Sequence, residues 1–488
     1  MMKIFSLKYI IIIILIIIGG YETFLGLSQL YRFTESNHCL YTLTGSFYNP
    51  GPYMGFLAMI FPICLHEYLK WKDVCKGLMY FSSIIVGLGI LCILPAGMSR
   101  SAWISIIIAS CYVIWVHYKK TIKQFFVLHV KWIKTTIISI SFILMMVIAS
   151  LYIWKKDSAD GRLFIWKISI CAISEKPWKG YGWDNVSGAY GDAQEAYFAS
   201  GNYTDTEAYV AGSPEYMFNE YLQIAMAWGI PILVIGLILI GYSAWIGHFY
   251  KEYGMCGALL SFAVFAFFSY PLQFPLFIFS LGLLIIGCIV NNINKMPIQL
   301  CRFNIIISLA VLYMGYCYYK DYSCKHKDQE KWGHCRILYY SKAYEDALDG
   351  YNEIYDNMKW NAQFLYELGY IYHKLHWYEE SNCVLKQALM KSSNSMILNI
   401  IGKNYQKMKH YKESEFWLLR SINRIPKRIY PYYLLMRLYM EADCFSIGKL
   451  EWAWNSVLVK KPKVCSKATE EMKHEVWSIF GDDFNWDN

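Results

Sequence analysis

The chain has 488 residues, of which 56% are hydrophobic, 18% aromatic and 17% charged, and its mean hydropathy is +0.26. A soluble domain carries about 25% charged residues, so this composition excludes an ordinary soluble protein and points to an integral membrane protein. The net charge of +9 reads as loop lysines facing anionic lipid rather than as a nucleic-acid footprint.

Taken in chain order, apolar segments able to cross a ~30 Å hydrocarbon core fall at 8–28, 52–69, 77–96, 100–116, 135–154, 219–246, 254–270, 273–291 and 303–319. The pattern predicts an all-α polytopic membrane domain of about nine spans over residues 1–320. The first segment has too long an apolar run to favour a cleaved signal peptide over an anchor. Orientation follows the Lys/Arg bias. The connection 117–134 carries Lys119, Lys120, Lys123, Lys131 and Lys134 without an acid, which places it in the cytoplasm. Counting alternately puts the N-terminus inside, and the large acidic loop at about 155–216 and the segment after Lys320 outside.

From about Lys331 the apolar runs shorten and a repeat emerges. Tyr344-Glu345, Tyr378-Glu379, Tyr411-Lys412 and Phe445-Ser446 recur at intervals of 34, 33 and 34 residues, and Leu368-Gly369-x-x-Tyr372 returns as Ile401-Gly402-x-x-Tyr405. A period near 34 with small and aromatic anchors resembles the tetratricopeptide repeat (TPR), a stacked helix–turn–helix array. A TPR-like domain is therefore expected over 331–475, outside the membrane, with a surface suited to a protein partner. The 15 cysteines define no framework. Cys324 and Cys335 could pair in an oxidising compartment, and no Cys/His spacing suggests a metal.

Three segments carry candidate chemistry. The first is the turn-rich Thr44-Gly45-Ser46-Phe47-Tyr48-Asn49-Pro50, which also reads as a plain loop entering a helix. The second is Ser99-Arg100, with Ser99 a candidate N-cap and Arg100 in the first helical turn. The third is the outer loop, where Arg162 is expected to open an amphipathic helix. Pro177-Trp178-Lys179-Gly180-Tyr181-Gly182 then makes a turn, and Glu215, Asn219 and Glu220 lie at the loop's exit into the next span. An arginine in a first turn opposes the macrodipole by roughly 0.3–1 kcal/mol, yet with free backbone N–H groups it can hold a phosphate or pyrophosphate. The bland alternative for Arg100 is a cation snorkelling to the interface.

In this order the segments resemble the O-antigen ligase superfamily, over roughly residues 40–290. The resemblance lies in Gly45-x-Phe47-x-Asn49-Pro50, Ser99-Arg100-x-Ala102-Trp103, Gly161-Arg162-x-x-x-Trp166, Pro177-x-x-Gly180-x-Gly182 and Asn219-Glu220-Tyr221-Leu222, followed by Gly229. It implies a metal-independent and cofactor-independent transferase of the bacterial inner membrane. Such an enzyme moves a glycan from undecaprenyl pyrophosphate to a glycan, lipid or protein acceptor on the periplasmic face. Arg100 and Arg162 match arginines that hold the pyrophosphate. One position departs: the family's histidine before Asn219 is Phe218, which cannot accept a proton. The base expected here is a carboxylate, Glu220 or Glu215, with Asn219 orienting the acceptor or capping the next helix.

O-antigen-type polymerisation and protein O-glycosylation share this chemistry with a different acceptor. A polysaccharide transporter should carry ionisable residues inside its spans, whereas 77–96, 100–116 and 135–154 have essentially no interior charge and their charges gather at the ends. A non-catalytic TPR scaffold would need neither arginine.

Overall fold

The computed structural model describes residues 7–71, 77–128, 156–290, 297–441, 443, 445–462 and 466–480. Among these residues all regular structure is helical, as expected, and no strand occurs. In chain order the helices are α1 (Leu7–Leu30), α2 (Pro50–Trp71), α3 (Leu78–Ile93), α4 (Arg100–Leu128), α5 (Lys156–Glu175), α6 (Val186–Ala199), α7 (Asp205–Val210), α8 (Glu220–Phe249), α9 (Tyr253–Phe268), α10 (Pro275–Val290) and α11 (Ile298–His326). There follow α12 (Gln329–Tyr340), α13 (Tyr344–Met358), α14 (Ala362–Lys374), α15 (Tyr378–Lys391), α16 (Ser395–Lys407), α17 (Tyr411–Arg424), α18 (Tyr430–Tyr439), α19 (Ile447–Val459) and α20 (Lys467–Phe480).

The chain forms two compact units. The first comprises residues 1–154, 218–223 and 231–321, and the second residues 155–217, 224–230 and 322–488. The outer loop, assigned to the membrane domain from sequence, thus packs with the C-terminal helices.

In the first unit, α2 is the hub, packed by α1, α3, α4 and α9. Its residues Tyr53 to Ile60 are buried without interruption, and a helix apolar on all sides is one enclosed by neighbours. In lipid, association rests on close packing of small residues rather than on exclusion of water. Gly55 leaves room for the Phe265 ring, and a Cβ at Gly257 would lie 2.8 Å from Val113 and 2.9 Å from Pro62. Four helical stretches among the described residues are long and apolar enough to cross a membrane: Leu7–Leu30, Arg100–Phe125, Glu220–Phe249 and Ile298–Tyr340, the last running through α11 and α12. Leu78–Ile93, Tyr253–Phe268 and Pro275–Val290 are apolar but shorter. The helix at the expected 52–69 span, α2, carries Pro62, His66 and Glu67 and is not one of the four. The expected span 135–154, with Lys131 and Lys134, lies outside the described residues.

In the second unit, α13 to α18 follow one another as packed neighbours, and the spacing of the repeat has a physical basis. A Cβ at Gly369 would meet Leu385 at 2.6 Å, and one at Gly402 would meet Leu418 at 2.8 Å. Ser381 Oγ donates to Gly369 O at 2.6 Å, and Ser414 Oγ donates to Gly402 O at 2.8 Å. The same contact therefore recurs 33 residues later. Cys324 and Cys335 are unbonded: Cys324 is exposed and Cys335 buried, its Sγ filling the space over Gly350.

Candidate functional site

The Gly45 segment is held by polar residues of an apolar helix. Gln29 Oε1 accepts the N–H groups of Thr44 (2.9 Å) and Gly45 (2.8 Å), and Gln29 Nε2 donates to Gly45 O at 3.0 Å. Glu22 accepts from Ser46 N at 3.0 Å and from the Ser46 hydroxyl. Both side chains are buried in α1. Gly45 has φ 57°, and a Cβ there would lie 2.6 Å from Glu22 Oε2, so the turn needs glycine. Asn49 closes the segment. Its Oδ1 accepts Gly51 N–H at 3.0 Å, its carbonyl accepts Tyr53 N–H at 3.3 Å, and Pro50 begins α2, where a missing N–H leaves no vacancy. The Asn49 amide then donates to Tyr270 OH at 3.2 Å. Sequence reading missed Glu22 and Gln29, although a carboxylate and an amide inside an apolar helix are themselves a signal.

Ser99 and Arg100 stand where expected. Ser99 O accepts Trp103 N–H at 3.1 Å, and Ser99 Oγ lies 3.3 Å from Ser101 Oγ. Arg100 is the first residue of α4 and is half-buried. The rest of the motif fixes it: Ala102 is fully buried, and Trp103 Nε1 donates to Leu94 O at 2.9 Å, tying α4 back to the end of α3.

The loop exit begins with Phe218 in the left-handed region, φ 51°, a conformation costing about 1–3 kcal/mol that concentrates at functional positions. Its ring meets Tyr270 edge-on at 5.4 Å. Asn219 is the N-cap of α8, its Oδ1 accepting from Tyr221 N (3.0 Å) and Leu222 N (3.2 Å), so its capping role is realised. Glu220, next along, is 1% exposed. Its Oε2 accepts Leu272 N–H at 2.9 Å, while Oε1 has no hydrogen-bond partner among the described residues. A buried carboxylate oxygen without a donor is a costly state that a hydroxyl would relieve.

Ser99, Arg100, Asn219 and Glu220 belong to the first unit, and Arg162 and Glu215 to the second. Arg162 requires a correction. It does not open a helix but lies within α5, six residues after Lys156. The N–H groups of an N-terminal turn are therefore not at its side, and half-buried Trp166, one turn on, shares its face. The acidic, polar stretch Lys156 to Gly161 forms helix ahead of it, which an apolar-run reading excludes. Glu215 is exposed.

Two separately noted motifs meet in the second unit. Pro231 has no N–H, so the Ala227 carbonyl loses its helical donor, and Gly229, at φ 85° and ψ 168°, breaks the ladder. The freed groups bond the turn after α5. Tyr181 N donates to Met226 O at 2.8 Å, Gly182 N to Ala227 O at 2.9 Å, and Ile230 N to Pro177 O at 2.8 Å. A Cβ at Gly180 would meet Ala227 C at 2.6 Å, and one at Gly229 would meet Pro177 O at 2.9 Å. Trp183 stacks on Trp228 at 4.8 Å. The loop's helices are tied by Lys167, whose Nζ donates to Glu207 (2.6 Å) and Tyr197 OH (2.7 Å). Burial opposes charge on Glu207, but Lys167, the Thr204 N–H and hydroxyl, and Tyr197 hold its carboxyl down to about 2.

Helix α6 packs against α15 and α17. Gly188 and Gly191 permit the approach: a Cβ at Gly188 would meet the Met390 and Leu389 carbonyls, and one at Gly191 would meet Ser393 Cα at 2.9 Å. The fully buried Arg424 donates to Asp192 at 2.6 Å and to Glu195 at 3.2 Å, and Arg420 pairs with Glu195. No group of His, Cys, Asp and Glu able to hold a metal occurs among the described residues.

Residues 84–237 match the family described as O-antigen ligase. The match takes in Arg100, Arg162, the 177–182 turn, Asn219, Glu220 and Gly229, and supports the O-antigen ligase superfamily for this segment. No curated protein and no solved structure matches the chain.

Proposed function

We propose that this chain, whose residues 84–237 match the O-antigen ligase family, transfers a glycan from undecaprenyl pyrophosphate to an acceptor hydroxyl on the periplasmic face of the bacterial inner membrane. The observation that supports the reading is the match over 84–237, within which the motif residues stand in ordered local structure. Arg100 heads α4, and the 177–182 turn docks on the Gly229 kink through three backbone hydrogen bonds.

The reaction is a displacement at the anomeric carbon with inversion. The acceptor oxygen forms the new bond as the bond to the pyrophosphate oxygen breaks, and the electron pair leaves with the lipid pyrophosphate. Arg100, with the α4 N–H groups, stabilises that departing charge, the role the family resemblance also gives Arg162. Glu220 takes the acceptor proton through Oε1. The observation favouring it over Glu215 is its burial with one oxygen unpartnered, whereas Glu215 is solvated. Asn219 fixes the start of α8 and thereby the position of Glu220. No step requires a metal.

Envelope glycans of a deletion strain complemented with wild-type, Arg100→Ala or Arg162→Ala chains test the reading. Loss of one glycan species in the deletion strain, restored by wild type and by neither variant at normal protein level, is the expected result. Restoration by both variants would overturn it. The species lost also identifies the acceptor: capped lipid core for a ligase, chain length for a polymerase, and protein-linked glycan for an oligosaccharyltransferase.

A further inference from the structure

The second unit holds a groove of about 770 Å³ that the proposed chemistry leaves unused. Its volume falls in the ~300–1,000 Å³ range of small-ligand sites. One wall comes from the outer loop, with Tyr209 and Ser213, and the other from the C-terminal helices, with Arg428, Tyr430, Tyr433, Glu471 and Glu475. Ser213 stands two residues before Glu215 in the same loop.

The lining combines flat aromatic faces with planar charged groups. Tyr433 donates its hydroxyl proton to Glu475 at 2.8 Å and accepts from Arg437 at 3.1 Å, which fixes its ring. Tyr209, on the loop side, is 40% exposed. Arg428 is half-buried; Nη1 donates to Ser395 Oγ at 2.7 Å, and no carboxylate pairs with it among the described residues. A guanidinium has five donors in a rigid fork, so most of the Arg428 donors remain for a ligand. A sugar ring presents an apolar C–H face and a rim of adjacent hydroxyls. Tyrosine faces suit the first, and the paired atoms of guanidinium and carboxylate suit the second.

We infer that this groove binds an oligosaccharide, the glycan in transit between carrier and acceptor. The inference rests on the glycan-transfer reading for which glycan is present. It gives the C-terminal helices a substrate-holding role in place of protein docking.

The test uses the full chain in detergent and, as probe, fluorescently labelled oligosaccharide released by mild acid from the cells' own lipid-linked pool. Saturable binding is expected. Arg428→Ala and Tyr209→Ala should each weaken it about tenfold or more, equivalent to about 1.4 kcal/mol. Lys449→Ala, which removes an ion pair with Glu415 outside the groove, should bind as wild type. Because Tyr209 is exposed, its variant stays informative if Arg428→Ala fails to fold. Binding insensitive to both substitutions, no binding by wild type, or saturable binding of a tryptic peptide pool instead of the glycan would overturn the groove assignment. Groove-dependent binding together with normal transfer by Arg100→Ala and Arg162→Ala would overturn the transferase reading alone. Transfer abolished by those variants, with binding indifferent to the groove, would overturn the groove alone.

Discussion

Glu220 and Glu215 lie five residues apart in sequence and in opposite physical states. Glu220 is enclosed, with one oxygen on Leu272 N–H and the other without a donor, while Glu215 is exposed. Sequence pattern could name both as carboxylates near the loop exit, but burial depends on Tyr270 to Gln273, which lie some fifty positions away. Glu220→Gln, isosteric but unable to accept a proton, should lower transfer about 100-fold or more, and Glu215→Gln should stay near wild type in the same assay. The reverse pattern would move the base to Glu215. Gly229 gives a second residue-scale prediction. Gly229→Ala must place a Cβ at φ 85° beside the Pro177 and Trp178 carbonyls, a strain of about 1–3 kcal/mol. Release of the 177–182 turn would separate Trp183 from Trp228 and shift their fluorescence. A spectrum identical to wild type would contradict the docking.

Among the elements, α5 shows what a hydrophobic pattern misses. Its first turn, Lys156-Asp157-Ser158-Ala159, is polar, so the helix was expected to begin at Arg162, where the apolar residues start. Asp157 in the first turn suits the macrodipole, and local propensity carries the helix upstream. The reverse holds for the 33–34-residue repeat: its glycines are legible because each answers to one contact, Gly369 under Leu385 and Gly402 under Leu418. What no period reveals is that α6 packs on α15 and α17, since an ion pair between residues 192 and 424 leaves no mark on local sequence. Arg424→Ala should destabilise this contact by about 1–3 kcal/mol, less than for a fully enclosed pair because Asp192 is exposed to solvent. Gly188→Val should act similarly by pressing on the Met390 carbonyl. Both variants should speed proteolysis within 186–217 of the folded chain; a cleavage rate equal to wild type would show that α6 is held by other means.

At the scale of the whole molecule, composition points to a membrane protein, the lengths of the apolar runs point to helices, and the order of five weak motifs points to the same superfamily as the match over 84–237. The partition of the chain was not legible, because the outer loop's affiliation with the C-terminal helices rests on long-range contacts. That second unit should be acid-sensitive. Burial lowers His373 to about 4 from its ordinary 6.5, with its ring hydrogen-bonded to Asn404. The unfolded chain takes up this proton as pH falls below 6.5 while the folded chain does not until about 4, so stability is lost across that window. Thermal melts of the chain should lose stability from pH 6.5 to 4, and His373→Gln should flatten the slope; an unchanged slope would remove His373 as its cause. The central claim is glycan transfer with a stabilised pyrophosphate leaving group. Its most direct measurement is release of undecaprenyl pyrophosphate by the purified full chain in liposomes, given lipid-linked glycan and acceptor without added metal. Wild type should turn over, and Arg100→Ala should fall by about 100- to 1,000-fold; turnover by Arg100→Ala equal to wild type, or none by wild type with both substrates present, would contradict it.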